Sequence, residues 1–163
     1  MAKSVSRSTA PHELWRISNH PDLTGAGGLK YSARWHTAGH PIVYLAETPA
    51  GALLEVLVHL ELSESTLPRY YQLLRVSVAP GVLVEDLRVP IGESWKRRVS
   101  FTRTLGNAWL HGGRTPLARV PSAILPHTSN YLLNPAHAGA AGLQIIERRR
   151  ARFDSRLLAS WQS

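Results

Sequence analysis

Cysteine is absent from all 163 residues of this chain. That absence excludes a disulfide-stapled scaffold, a metal site built on thiolates and a cysteine nucleophile. Long apolar runs are also missing, since no window approaches the roughly 20 apolar residues that a membrane-spanning helix needs. The N-terminal segment has no apolar stretch of the kind that marks a secretory signal. These absences predict a cytoplasmic protein with no membrane association.

Acidic residues are scarce as well: 11 Asp and Glu stand against 19 Lys and Arg, a formal net charge of +8. Sixteen of those cations are arginines and three are lysines. Arginine favours planar, bidentate contacts to phosphate and carboxylate groups. The charge therefore predicts an anionic partner, which leaves open a nucleic acid, a phosphorylated ligand or an acidic protein. Apolar residues make up 44% of the chain, enough to form one well-packed domain.

The pattern along the chain predicts a flexible N-terminal arm over residues 1–12 and a single domain over 13–163. Residues 20–41 are rich in glycine and polar side chains, so we expect a long loop without regular structure, of the kind that often carries function. Residues 143–152 fit a strand or a helix. Predicted strands cover 14–17, 42–46, 71–78, 82–87, 119–125 and 130–134, and predicted helices cover 49–62 and 94–111, the second continuous or interrupted. This irregular order indicates an α+β fold.

Several common functional signatures are missing. No Gly-x-Gly-x-x-Gly joins a strand to a helix, no phosphate-binding Gly-Lys-Ser/Thr occurs, and no Gly-x-Ser-x-Gly supplies a serine nucleophile. His36 and His40 are four residues apart, but Gly39 and Pro41 are incompatible with a helix there. We therefore expect no metal site.

Three residues in consecutive elements suggest a ligand site. Glu55 lies within an apolar helical stretch, beside its buried stripe, where a carboxylate either reaches into a cleft or pairs with a histidine one turn later at position 59. Arg34 ends the glycine-rich loop, and Tyr44 lies in the next buried strand. An arginine, an aromatic ring and a carboxylate suit a ligand with an anionic part, a flat ring and a sugar.

A basic tract near the C-terminus, from Arg148 to Arg156, leaves three alternatives open: a solvated face, a nucleic-acid contact or a protein contact. A nucleic-acid-binding module is the alternative function class that the net charge allows. No helix-turn-helix or other reader motif accompanies the tract, and few aromatic residues are interleaved with it.

Six stretches follow one another along the chain in a recognisable order: Ala33-Arg34-Trp35-His36, Gly39 to Thr48, Ala52-Leu53-Leu54-Glu55, Leu105 to Leu110, Val120 to Ile124 and Asn130 to His137. In kind and in order they resemble the motifs of the RES-domain toxins, and the resemblance covers residues 13–158. The family takes its name from an arginine, a glutamate and a serine, which correspond here to Arg34, Glu55 and Ser122. The family commonly has Arg-Trp-Asn where this chain has an Arg-Trp-His sequence ending at His36.

The resemblance implies a fold similar to the ADP-ribosyltransferase toxins: a split, mainly antiparallel β core with peripheral helices and a cleft for NAD. It implies the toxin of a type II toxin–antitoxin system that cleaves the nicotinamide–ribose bond of NAD, without a metal. Transfer of ADP-ribose to a protein is the alternative activity. It also implies a partner, a helix-turn-helix Xre-like antitoxin, through which alone the toxin would meet DNA.

On this resemblance, Glu55 stabilises the cationic sugar or orients water, and Arg34 binds the pyrophosphate. Tyr44 stacks on nicotinamide or the adjoining ribose, and Ser122 bonds to ribose or the carboxamide.

Two further residues are substrate-binding candidates. Arg16 is a second cation for the ligand or a structural arginine that pairs across strands. Asn130 is expected in the same cleft.

Overall fold

The computed structural model describes residues 7–59 and 69–159, which form eight strands and four α-helices. The strands are β1 (Arg7–Thr9), β2 (Glu13–Ile17), β3 (Val43–Ala46), β4 (Tyr70–Val78), β5 (Leu83–Asp86), β6 (Leu117–Pro121), β7 (Ser129–Leu133) and β8 (Leu143–Arg152). The helices are α1 (Gly27–Lys30), α2 (Pro49–His59), α3 (Val99–Gly112) and α4 (Arg156–Ala159). The α+β class is confirmed.

All eight strands join one sheet in the order β1-β5-β6-β7-β3-β2-β4-β8, and only β5 and β6 pair in parallel. The junction of β3 with β2 is a single residue pair, Trp15 with Ala46. On either side of it the pairing is continuous, over four residues between β3 and β7 and five between β2 and β4. The sheet is therefore split at this junction, as the resemblance implies.

Alternation along the strands produces two hydrophobic cores, one on each face of the sheet. One core contains Leu14, Val43 and Leu45, and it continues across the outer strands. The other contains Trp109 of α3 packed with Trp35 and Leu132. Neighbouring residues of β3 thus serve opposite faces, which leaves Tyr44 on the side of α3.

Capping residues define the start of α2 and the end of α3. Thr48 caps α2, since its Oγ1 accepts the amide hydrogen of Gly51 at 3.0 Å. Gly113 ends α3 in the left-handed conformation with φ of 53°. A 3-10 turn over Ser94–Arg97 precedes α3, so the helix predicted over 94–111 is interrupted. The predicted end of α2 near residue 62 lies outside the described residues.

Three predictions about elements differ from the structure. Residues 7–9, assigned to the flexible arm, pair with β5 as an antiparallel strand. The glycine-rich segment contains the short helix α1. The strand predicted over 119–125 starts earlier, at Leu117, and ends at Pro121, which has no amide hydrogen to continue a ladder. The ambiguous segment 143–152 is a strand, because it pairs along its length with β4.

Within the two described ranges, no helix combines the length and apolarity needed to span a bilayer.

Candidate active site

A cavity of about 740 Å³ lies where the sheet is split. Its walls come from the ends of β2 and β3, from α2, from the first turns of α3 and from the loop between α1 and β3. This volume suits a ligand of cofactor size. The polar side chains that line it include Arg16, Arg34, His36, Tyr44, Glu55, Arg103 and Asn130.

Glu55 is held by two hydrogen bonds to residues from distant parts of the chain. Its Oε1 accepts from Asn130 Nδ2 at 2.6 Å and from the Ser122 hydroxyl at 3.3 Å. Its Oε2 makes no hydrogen bond to another described residue. The His59 imidazole bonds to the Glu55 backbone carbonyl at 2.7 Å, so the alternative of a carboxylate–histidine pair on the helix surface is not what the structure contains. One carboxylate oxygen is fixed and the other is available to a ligand.

Ser122 is almost fully buried and follows directly after β6. Its Oγ accepts the amide hydrogens of Ile124 at 3.1 Å and Leu125 at 3.2 Å. With both acceptor positions used, the hydroxyl hydrogen points to Glu55. Ser122 therefore orients the carboxylate in this arrangement, and its predicted contact with ribose stays a prediction.

Arg34 and Arg16 both line the cavity, and each is anchored to a backbone carbonyl rather than to a carboxylate. Arg34 Nη1 donates to the Lys96 carbonyl at 2.8 Å, and Arg16 Nη1 donates to the Asp22 carbonyl at 2.7 Å. Burial lowers the pKa of Arg16, and the Asp22 carboxylate partly offsets that effect. The structural alternative for Arg16, pairing across strands, does not occur among the described residues. Each guanidinium keeps free N–H groups for an anion.

Arg103 is a third arginine of the cavity and is not among the site residues predicted from the sequence. Its Nε donates to the Ala33 carbonyl at 2.8 Å, which ties α3 to the residue before Arg34. Thr102 reinforces this contact, because its Oγ1 donates to the Arg34 carbonyl at 2.6 Å. Helical periodicity places Arg103 on the same face as Val99, which also lines the cavity. The sequence alone does not reveal which loop that face meets.

Tyr44 has its hydroxyl engaged on the loop that carries Arg34. The Trp35 amide donates to the hydroxyl oxygen at 3.2 Å, and His36 Nδ1 lies 2.9 Å from it. Burial lowers the pKa of His36 and raises the pKa of Tyr44, so both groups are favoured in their neutral forms. The Tyr44 hydroxyl and His36 Nδ1 therefore share one hydrogen bond, whose direction follows from the tautomer of the imidazole. The ring of Tyr44, rather than its hydroxyl, is what the side chain offers a ligand.

A close helix contact keeps that loop in place. Gly106 of α3 lies against Trp35, and a Cβ atom added at Gly106 would come within 1.7 Å of the Trp35 carbonyl oxygen. Glycine is required there because the helix backbone and the loop backbone touch.

All six predicted site residues, from Arg16 to Asn130, thus meet at or beside one cavity. Within the described ranges, no three histidine, aspartate or glutamate side chains cluster as metal ligands would.

Comparison with known proteins decides the family. The model of the RES domain matches residues 13–154. This protein belongs to the RES domain family. A toxin Res of Pseudomonas putida is 46% identical over 132 residues, which cover 81% of this chain and 90% of that protein. A Prs ADP-ribosylating toxin of Sphingobium sp. is 34% identical over 156 residues, covering 89% and 96% of the two chains.

The crystal structure of the M. tuberculosis MbcT–MbcA toxin–antitoxin complex contains a similar fold. Its matched chain superposes with a TM-score of 0.65 at 19% identity, covering 91% of this chain and 87% of that one. The predicted family, the fold and the assignment as a RES-family toxin are therefore confirmed.

Proposed function

We propose that this RES-family toxin binds NAD in the cavity and cleaves the bond between nicotinamide and ribose. The observation that carries the proposal is Glu55: a single carboxylate, oriented by Ser122 and Asn130, faces a cavity whose other ionic side chains include three arginines. NAD combines a pyrophosphate with a cationic ring on a sugar. An anion subsite beside one carboxylate matches that distribution of charge.

The bond to be broken joins ribose C1′ to the positively charged nicotinamide ring. Nicotinamide departs as a neutral molecule with the bonding electron pair and leaves an oxocarbenium-like ribose, as in glycoside hydrolysis. Negative charge close to C1′ stabilises this cation, and in the proposed mechanism Glu55 Oε2 supplies it. Water then adds at C1′ and loses a proton, which yields ADP-ribose. Phosphate or a protein side chain in place of water gives the corresponding ADP-ribosyl product.

The remaining residues bind and orient. Arg34 and Arg16 hold the pyrophosphate through charge-assisted hydrogen bonds, and Arg103 adds a third cation to the cavity. The ring of Tyr44 stacks on nicotinamide or the adjoining ribose. No metal is required, because the leaving group departs neutral without protonation.

The test is incubation of the purified protein with NAD, followed by chromatography of nicotinamide and ADP-ribose. We expect both products in equal amounts, and Glu55→Gln to abolish most of their formation. A matched control is Glu93→Gln, which removes an exposed carboxylate that pairs with Lys96 outside the cavity. Loss of activity in the control, or none in Glu55→Gln, would contradict the proposal.

Transfer of ADP-ribose to a protein is the second candidate activity, supported by the 34% identical relative that is named an ADP-ribosylating toxin. The two activities differ in where the ADP-ribose is found. NAD labelled in its adenine ring, incubated with the toxin and a cell extract, leaves label on protein in one case and in free ADP-ribose in the other.

We also propose that a helix-turn-helix, Xre-like antitoxin encoded next to this protein silences it in the cytoplasm, and that DNA is contacted only through that partner. The toxin–antitoxin complex with a similar fold supports a partner of this kind. Polar or acidic groups of the partner would complement the arginines of the cavity. Co-expression with the adjacent open reading frame should yield one complex on size-exclusion chromatography, with NAD cleavage suppressed. Separate elution, or undiminished cleavage by the complex, would contradict this.

A further inference from the structure

The strand β8 occupies one edge of the sheet and is unusually long for an edge. It has ten residues and pairs with β4, and among residues 7–59 and 69–159 no strand lies on its other side. About half of its backbone N–H and C=O groups therefore point away from the sheet without a strand to pair with. Such an edge is a template for another extended chain.

Arginines alternate along this edge. Arg148, Arg150 and Arg152 pair in register with Leu74, Gln72 and Tyr70 of β4, so the three arginines share one face of the sheet. We call them the β8 arginine row. Alternate residues of a strand are about 6.8 Å apart, which is also the repeat of side chains on one face of a neighbouring strand.

The row lacks carboxylate partners within the described part of the chain. Glu147 lies on the opposite face, where it pairs with Arg149 at 3.3 Å, and Asp154 pairs with Arg156 at 2.7 Å. All three side chains of the row belong to exposed residues. The free edge is therefore strongly cationic on one face.

We propose that the free edge of β8 binds an extended, acidic segment of a partner protein, in which aspartate or glutamate occupies every second position. An added strand would satisfy the unpaired backbone groups of β8, and its carboxylates would lie opposite the arginine row. This surface is separate from the NAD cavity, so the proposal stands or falls independently of the proposed enzymatic activity.

Two other occupants fit the observations less well. A second copy of this chain, paired edge to edge through β8, would set arginines against arginines, and like charges across a strand pair are destabilising. A nucleic acid would find no open aromatic ring on the face of the row among the residues that the structure describes. The guanidinium of Arg150 covers Tyr70 at 4.1 Å, and Arg152 donates to the Tyr70 hydroxyl at 2.9 Å. Nucleic acid also cannot pair with the backbone groups of a strand edge.

The experiment measures fluorescence anisotropy of a labelled ten-residue peptide that alternates glutamate and threonine. A second peptide has the same sequence but is N-methylated along its length, which preserves charge and removes the amide hydrogens. The protein is tested as the wild type, as the row variant Arg148→Glu/Arg150→Glu, and as the control Arg88→Glu/Arg97→Glu. The control changes the net charge equally at two exposed arginines outside β8. Thermal melting verifies that each variant is folded.

We expect the alternating peptide to bind the wild type and the control about equally, and the row variant at least about ten-fold more weakly. The N-methylated peptide should bind the wild type at least about ten-fold more weakly. Equal binding of the two peptides overturns the proposal in favour of charge alone. Tighter binding of a single-stranded oligonucleotide that depends on the row overturns it in favour of nucleic acid. Dimerisation in analytical ultracentrifugation that the row variant abolishes overturns it in favour of a second copy.

Discussion

Substitution of Glu55 by glutamine isolates charge from shape at the centre of the proposed site. Oε1 accepts both protein hydrogen bonds, from Asn130 at 2.6 Å and from Ser122 at 3.3 Å. A glutamine can keep its carbonyl oxygen in that place, so both bonds survive. Its amide nitrogen then replaces Oε2, the oxygen available to the substrate. We therefore expect a folded protein with unchanged contacts and no negative charge beside ribose C1′.

The size of the effect follows from Coulomb's law. A carboxylate about 4 Å from a developing unit positive charge contributes about 4 kcal/mol at an effective dielectric constant of about 20. That stabilisation corresponds to a rate factor of about 1,000, and single preorganised electrostatic groups typically give about 100-fold to 1,000-fold. We expect kcat of Glu55→Gln to fall in this range while the dissociation constant for NAD changes less than about three-fold.

The assay combines single-turnover release of nicotinamide with calorimetric titration of NAD. Glu55→Ala is informative beside it, because alanine leaves the amide of Asn130 without its acceptor and should also lower the melting temperature. If Glu55→Gln turns over NAD within about three-fold of the wild-type rate, Glu55 does not stabilise the transition state. If it fails to bind NAD at all, the carboxylate serves binding rather than catalysis.

Four further predictions concern the residues around the carboxylate. Arg103→Gln should raise KM for NAD about ten-fold in steady-state kinetics, because it removes one of the three arginines that line the cavity. Tyr44→Phe should lower the free energy of unfolding by about 1–3 kcal/mol in urea titration, since the buried Trp35 amide and His36 Nδ1 lose their shared partner. Gly106→Ala should lower the melting temperature sharply, because its Cβ would overlap the Trp35 carbonyl oxygen. Burial lowers the pKa of His36 below its value of about 6.5 in the unfolded chain. As pH falls below about 6.5, the unfolded chain takes up the proton first, so the free energy of unfolding should decrease until the pH reaches the native pKa of His36. This decrease should be larger in the wild type than in His36→Asn.

Matched controls separate these effects from general damage. Arg97→Gln removes an exposed arginine just before α3. If KM for NAD is the same in Arg97→Gln as in Arg103→Gln, Arg103 has no specific role in binding NAD. Tyr31→Phe deletes the hydroxyl of an exposed tyrosine, and an equal loss of stability would contradict the role given to the Tyr44 hydroxyl. Thr104→Ala is the control for Gly106→Ala, because it changes a residue on the exposed side of α3. An equal fall in melting temperature in the two variants would contradict the role given to Gly106. For the pH prediction, identical stability curves in the wild type and His36→Asn would show that the imidazole is not coupled to folding.

Much of the candidate site could be predicted from local sequence. Helical periodicity placed Glu55 beside the apolar stripe of α2. The apolar run around Tyr44 indicated a buried strand. Such signals lie within one element, where spacing along the chain and spacing in space are the same quantity. The resemblance to the RES family added Ser122 and Asn130, which no local pattern identifies as partners of the carboxylate.

Only the tertiary structure decided which of these groups meet and what each is free to do. Glu55 is 67 residues from Ser122 and 75 from Asn130, and their hydrogen bonds form because the ends of β6 and β7 come to lie beside α2. Arg103 joins the site because Gly106 allows α3 to touch the loop backbone at Trp35, a contact that no periodicity announces. The basic tract was ambiguous for the same reason. Pairing with β4 makes the first part of this tract an edge strand, which places alternate arginines on one face of the sheet. Strand pairing depends on the whole fold rather than on residues that are neighbours in the sequence.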